Sequence, residues 1–116
     1  MKKILLLVAG LAAAGVASAQ APYPGRPLTT VVGFAPGGGT DTVSRIIAKT
    51  LGDQLGQQVL TDNKAGAGGN IATDLVVKAA PDGYTIYLAN VGAIAVNQHL
   101  LPLTYDPLRD LAPITM

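Results

Sequence analysis

The chain has 116 residues, of which 49% are hydrophobic and 13% charged, with 14 glycines and no cysteine or tryptophan. The lack of cysteine excludes a disulfide scaffold and a cysteine-ligated zinc or iron–sulfur centre, and so apolar a composition argues against intrinsic disorder. Eight Lys/Arg against seven Asp, with no Glu, leave a net charge of +1, which is no footprint for a nucleic-acid partner.

The first residues read as a secretory signal peptide. Met1-Lys2-Lys3 is the positive start, Ile4 to Ala14 is an apolar run broken only by Gly10, and Ala17-Ser18-Ala19 fits the small-residue cleavage rule. The run is short of the ~20 residues that span a bilayer. Cleavage after Ala19 is expected to leave residues 20–116, carrying a net charge of −1 once Lys2 and Lys3 are gone. The protein is therefore expected to be exported and periplasmic.

Gln20 to Pro27, with three prolines, reads as an extended lead-in. Leu28 to Phe34 is apolar and β-branched, which suits a strand buried on both faces of a parallel sheet. Ala35-Pro36-Gly37-Gly38-Gly39 must be a loop. Thr40 or Asp41 then offers an N-cap, and Val43, Ile46, Ile47, Leu51 and Leu55 recur at helical spacing, with Gly56 to end the helix. Asp41, Arg45, Lys49 and Asp53 follow at i, i+4 on the other face and read as a solvated charge ladder.

A second unit repeats this plan. Gln58 to Thr61 is a short strand, Asp62 to Gly69 a glycine-rich loop, and Asn70 can cap a helix carrying Ile71, Leu75, Val76 and Ala79. Pro81-Asp82-Gly83 makes a turn, Tyr84 to Ala89 a third strand, and Ala93 to Leu100 a short helix. Tyr84 and Tyr87 point to opposite faces of that strand and read as packing. Prolines 102, 107 and 113 punctuate an irregular stretch, and Ala112 to Met116 is expected to open a fourth strand, which makes the chain look like a fragment. The order β-α-β-α-β-α predicts an α/β fold with an open, mostly parallel sheet and right-handed crossovers.

In such a sheet, ligands bind beyond the carboxyl ends of the strands. Two glycine-rich loops lie there and lead into helix N-termini, where free N–H groups and the macrodipole favour an anion. The spacing matches neither a phosphate loop nor the dinucleotide fingerprint, although Asp62 sits where a ribose-binding acid would. No nucleophile elbow occurs, Ser44 is the only serine after the signal segment, and His99 near the end of a short helix reads as a capping or surface residue. The residues point to binding without turnover, with no catalytic residue, metal or cofactor. A small nucleotide-binding α/β protein and an inactive truncated stub are the two alternatives.

Five ordered blocks carry a resemblance over essentially the whole chain after the signal segment. They are Tyr23 to Pro27, Val32 to Asp41, Gly66 to Asn70, Ala79 to Thr85 and Tyr105 to Ile114. Together they resemble the Bug-type (TctC-like) substrate-binding proteins, the extracytoplasmic receptors of tripartite tricarboxylate transporters. The resemblance implies a two-lobed periplasmic binding protein of type II-like fold, of which residues 20–116 are the N-terminal α/β lobe and most of the second lobe lies outside the chain. It implies a monomer that binds a small organic carboxylate, a di- or tricarboxylate or an aromatic acid, and hands it to a membrane permease. By the same resemblance, binding roles fall to Phe34, Pro36, Gly37, Gly38, Gly39, Thr40 and Asp41 in the first loop. In the second they fall to Gly66, Ala67, Gly68, Gly69 and Asn70, with Asn90 and Gly92 beyond the third strand. Lys64-Ala65 stands where the family has Arg-Pro, which loosens the second loop.

Overall fold

The computed structural model describes residues 22–115, so the signal segment assigned to 1–19 lies outside the described residues. Strand β1 is Leu28–Val32, β2 is Val59–Asn63 and β3 is Thr85–Leu88. Helix α1 is Gly39–Leu55, α2 is Asn70–Val77, α3 is Asn97–Leu100 and α4 is Pro107–Asp110. A 3₁₀ turn at Ala67–Gly69 precedes α2, and a wide π-type turn at Gly92–Val96 precedes α3.

The sheet has the order β2-β1-β3, and both pairings are parallel. Val32 lies opposite Asn63 on one side and Leu88 on the other. All three strands therefore end level with one another, and their following loops leave from one rim. The apolar run over β1 explains its central place, because Leu28, Val31 and Val32 are fully buried. The α/β class and the open parallel sheet are as the sequence implies.

Several boundaries differ. β1 stops at Val32 rather than Phe34, and β2 runs on through Asp62 and Asn63, which pair with Val31 and Val32. Two polar residues stay in the strand because the register with β1 satisfies their backbone groups. Residues 111–115 form no strand. Pro113 has no N–H to give a ladder, and no strand among the described residues pairs there. The helix α4 was not anticipated, although its signal is present: Asp106 caps the N–H groups of Leu108 and Arg109 at 3.0 and 3.3 Å, with Pro107 at the first helical position.

The larger correction concerns which way the helices face. α1 turns Asp41, Ser44 and Ala48 inward, while Val43, Ile46 and Ile47 are exposed. Small side chains at 44 and 48 let the helix approach the sheet, and the Ser44 hydroxyl sits 3.5 Å from Thr61 Oγ1. α2 does the same, burying Ala72 and Thr73 and exposing Ile71 and Leu75. Asp41 thus leaves the solvated ladder expected of it, whereas the Lys49–Asp53 pair at 2.7 Å stays in solvent. The expected cap at Thr40 or Asp41 is also replaced: α1 begins at Gly39 after Gly38, which makes no side-chain cap. Gly56 closes the helix in the left-handed conformation as the sequence suggests.

Candidate functional site

The first two rim loops meet through their backbones, and the third reaches them through a side chain. A Cβ placed on Gly33 would lie 2.9 Å from the Gly69 Cα, so the first and second loops touch where neither carries a side chain. One placed on Gly69 would lie 2.9 Å from Asn90 Nδ2, which brings in the loop after β3.

The first loop turns at Gly37, where φ is +85°, and enters α1 through Gly38 in extended conformation. The first intrahelical bond runs from the Thr42 N–H to the Gly38 carbonyl at 3.0 Å. The N–H groups ahead of Thr42 have no intrahelical partner. Phe34, Pro36, Gly37, Gly38 and Gly39 are exposed there and Thr40 half-buried, while Asp41 turns inward.

The Asp41 carboxylate has a side-chain exposure of 4%. It accepts from Arg45 Nε at 2.9 Å, from the Gly37 N–H at 2.9 Å and from Asn63 Nδ2 at 3.0 Å. The Arg45 hydrogen bond, then the Gly37 N–H and then Asn63, hold this carboxyl well below the usual carboxylate range. Both oxygens of Asp41 are thus engaged within the protein, Oδ2 by two donors and Oδ1 by one.

Four residues in succession, Gly66 to Gly69, have positive φ. Three are glycines, for which this is cheap; Ala67 at +48° carries a cost of about 1–2 kcal/mol. The loop is braced from behind. Thr73 Oγ1 donates to the Gly69 carbonyl at 3.0 Å, and the Tyr87 hydroxyl reaches the same oxygen at 3.4 Å and Thr73 Oγ1 at 2.8 Å. Burial raises the Tyr87 phenol above its ordinary value, so it stays neutral. Asn90 Nδ2 donates to the Gly68 carbonyl at 3.4 Å, and Asn90 Oδ1 accepts the Ala93 N–H at 2.6 Å.

Asn70 was expected to cap α2; instead its Oδ1 accepts from Asn97 Nδ2 at 2.6 Å. Residue 69 precedes the helix, and its left-handed conformation turns the chain so that Asn70 already faces the third helix. Beside this loop, the Lys64 ammonium is held by Asp62 at 3.2 Å. The rim thus offers backbone N–H groups with nearby side-chain charges internally paired, an arrangement suited to an anion approached through amides.

This geometry can be set beside proteins already known. Residues 43–116 match the family model for the tripartite tricarboxylate transporter family receptor, TctC. The chain belongs to this family.

Protein BugT of Bordetella pertussis is 47% identical over 118 residues, covering 97% of this chain and 36% of its own length. The alignment therefore includes both glycine loops. Among solved structures, MatC of Rhodopseudomonas palustris with bound malate superposes with a TM-score of 0.75 at 42% identity, over 79% of this chain and 32% of its own. A second R. palustris protein, solved with adipate, superposes with a TM-score of 0.70 at 40% identity, over 75% of this chain and 29% of its own. The chain spans about a third of the length of the relatives it matches. Its fold is that of part of a periplasmic TctC-family binding protein.

Within this TctC-family frame, the residues singled out from sequence do gather at one rim. Gly92 is among them: a Cβ there would come within 3.4 Å of Asn90 Oδ1 and 3.8 Å of the Gly68 carbonyl. Sequence reasoning missed Asn63, Thr73 and Tyr87, which touch the loops from behind. Asn63 could have been found from its place, since a polar side chain at the end of an edge strand adjoins the loop of the central one. Tyr87 was read as packing, and its hydroxyl carries the additional role.

Proposed function

We propose that the chain is the part of an exported solute receptor that cradles one carboxylate of a small organic acid. The observation carrying this reading is the meeting of two glycine loops at Gly33 and Gly69, each leading toward a helix N-terminus on the same rim. A carboxylate there accepts from the amides of Gly38, Gly39 and Thr40 on one side and of Ala67 and Gly68 on the other. Each charge-assisted bond is worth about 1.5–3 kcal/mol. The substrate class is a di- or tricarboxylate or an aromatic acid, and the malate and adipate held by two similar proteins support the dicarboxylate choice. The receptor acts as a monomer, binds without turnover and passes its ligand to a membrane permease. Residues 1–19 direct export and are removed after Ala19, leaving residues 20–116 as an α/β lobe in the periplasm.

The test is titration of residues 20–116 with malate, adipate and a nucleotide, followed by amide chemical shifts. Two loops touch only one side of the ligand, whereas a closed pocket buries about 70–90% of it, so millimolar affinity is expected. Movement of the Gly38, Gly39 and Gly68 amides with malate or adipate supports the reading. Movement with the nucleotide alone refutes it. Gly38→Val sharpens the test. Gly38 has φ −77° and only the Ala35 carbonyl within 4 Å of a built Cβ, at 3.5 Å, so the fold tolerates the change. Loss of one amide contact should then weaken binding by about ten- to a hundredfold. For export, intact mass of the periplasmic product is expected to begin at Gln20; a product retaining Met1 refutes the signal assignment.

A further inference from the structure

The first loop is closed by a side chain from outside it. Asn63, the last residue of β2, uses the two hydrogens of one amide nitrogen at the two ends of the loop: it donates to the Phe34 carbonyl at 3.0 Å and to Asp41 Oδ1 at 3.0 Å. Its own oxygen faces Arg45 Nη2 at 3.4 Å, and Arg45 Nε donates to Asp41 Oδ2 at 2.9 Å. Three side chains therefore form a closed circuit, and the Gly37 N–H feeds into it through Asp41 Oδ2 at 2.9 Å.

From this circuit we infer that Asn63 and Asp41 are positioning residues, an amide–carboxylate latch that holds the first loop in its anion-accepting shape without touching the ligand. The inference rests on the receptor reading above and changes the part Asp41 plays in it. A carboxylate facing an anionic ligand would repel it. Here the carboxylate is buried, paired with Arg45 and bonded at both oxygens by three donors, so its effect on the ligand runs through the position of Gly37. The latch also joins the loops: β2 leads directly into the second loop, and its last side chain sets the first.

The test uses the whole chain, labelled with nitrogen-15, and malate as the probe. The exchange of the Gly37 amide with water is read by saturation transfer, with the β1 amides of Val31 and Val32 as internal reporters of global folding. Asn63→Ala is expected to speed Gly37 exchange by about tenfold, the worth of one charge-assisted hydrogen bond, and to leave the β1 amides unchanged. The isosteric Asp41→Asn is the second variant. It sets one amide donor against the Asn63 donor and so opens the circuit without a change of volume. Malate affinity separates positioning from charge. Deleting a negative charge beside an anion site tightens malate binding if charge is the whole role, whereas an opened latch weakens it by about tenfold. Unchanged Gly37 exchange in Asn63→Ala, or tighter malate binding in Asp41→Asn, overturns the latch. If the parent chain shows no malate response at either loop, the receptor reading fails by itself, and the exchange measurement still decides the latch in one direction or the other.

Discussion

The Tyr105 hydroxyl lies 3.0 Å from Asn70 Oδ1 and 3.1 Å from the Ala93 carbonyl, so one proline-flanked residue ties the start of α2 to the turn that follows β3. Its ring is buried, unusual for a segment with so little regular structure. Tyr105→Phe keeps the ring and removes the shared donor. The expected loss is about 1–3 kcal/mol, the cost of leaving a buried acceptor unmatched, and the midpoint of urea unfolding measures it. An unchanged midpoint would show that water replaces the hydroxyl.

Acid should destabilise the chain through Asp41. Its folded-state pKa is depressed, so in the acid range the unfolded chain binds more protons and stability rises with pH. The contribution is present above the unfolded value of about 3.9 and is lost as pH falls from there toward the folded one. Asp74, half-buried, and Asp110, exposed, lowered first by Lys78 and Arg109 respectively, add to the same trend. In Asp41→Asn the unfolding free energy should depend less steeply on pH below about 4. Equal slopes in parent and variant would remove Asp41 from the account.

Two glycines of the rim should respond in opposite ways to alanine. Gly69 has φ +98°, and a Cβ there meets Asn90 Nδ2 at 2.9 Å and Ala93 Cβ at 3.3 Å. Gly69→Ala combines left-handed strain with overpacking and is expected to cost about 2–4 kcal/mol. Gly39 begins α1 with nothing within 4 Å of a built Cβ. Gly39→Ala should leave stability unchanged or raise it by about 0.4–1 kcal/mol, through the unfolded chain. Thermal unfolding of the pair is the check.

The outward face of α1 should be tolerant. Ile46 is 62% exposed, and Ile46→Ser is expected to change stability by less than about 0.5 kcal/mol. Val31→Ala, in the fully buried central strand, should cost about 2–3 kcal/mol through lost transfer and a residual cavity. A large loss at Ile46 would mean that this face is covered in solution.

What the residues disclosed in advance follows a physical division. The apolar run of β1 and the glycine clusters act locally, one through burial on both faces and the other through backbone freedom, so strand, loops and rim could be read directly. The facing of α1 could not. Leu51 and Leu55 of its apolar stripe are half-buried as expected, but close approach at Ser44 and Ala48 and the three bonds to Asp41 rotate the first turns so that Val43, Ile46 and Ile47 are left exposed. Periodicity measures the first effect and is blind to the second. Asn63 was hidden for a related reason, since its three partners lie 29, 22 and 18 residues away in sequence. The segment after Pro107 misled in the opposite sense: Ile114 and its neighbours look like a strand, but a strand needs a partner, and composition carries none.

The contact between Gly33 and Gly69 has one more consequence. A gap bounded by side chains can widen or narrow as rotamers change; this one is bounded by two main chains and has no such adjustable part. The spacing between the proposed carboxylate-facing loops is therefore a fixed gauge. In the receptor proposed above, substitutions elsewhere along the rim would retune what is accepted beyond the carboxylate, by shape or polarity, while the gauge for the carboxylate itself would stay the same. Recognition of the head group and choice of the tail would then be separable traits of that proposed receptor, so that one could be altered in the laboratory without rebuilding the other.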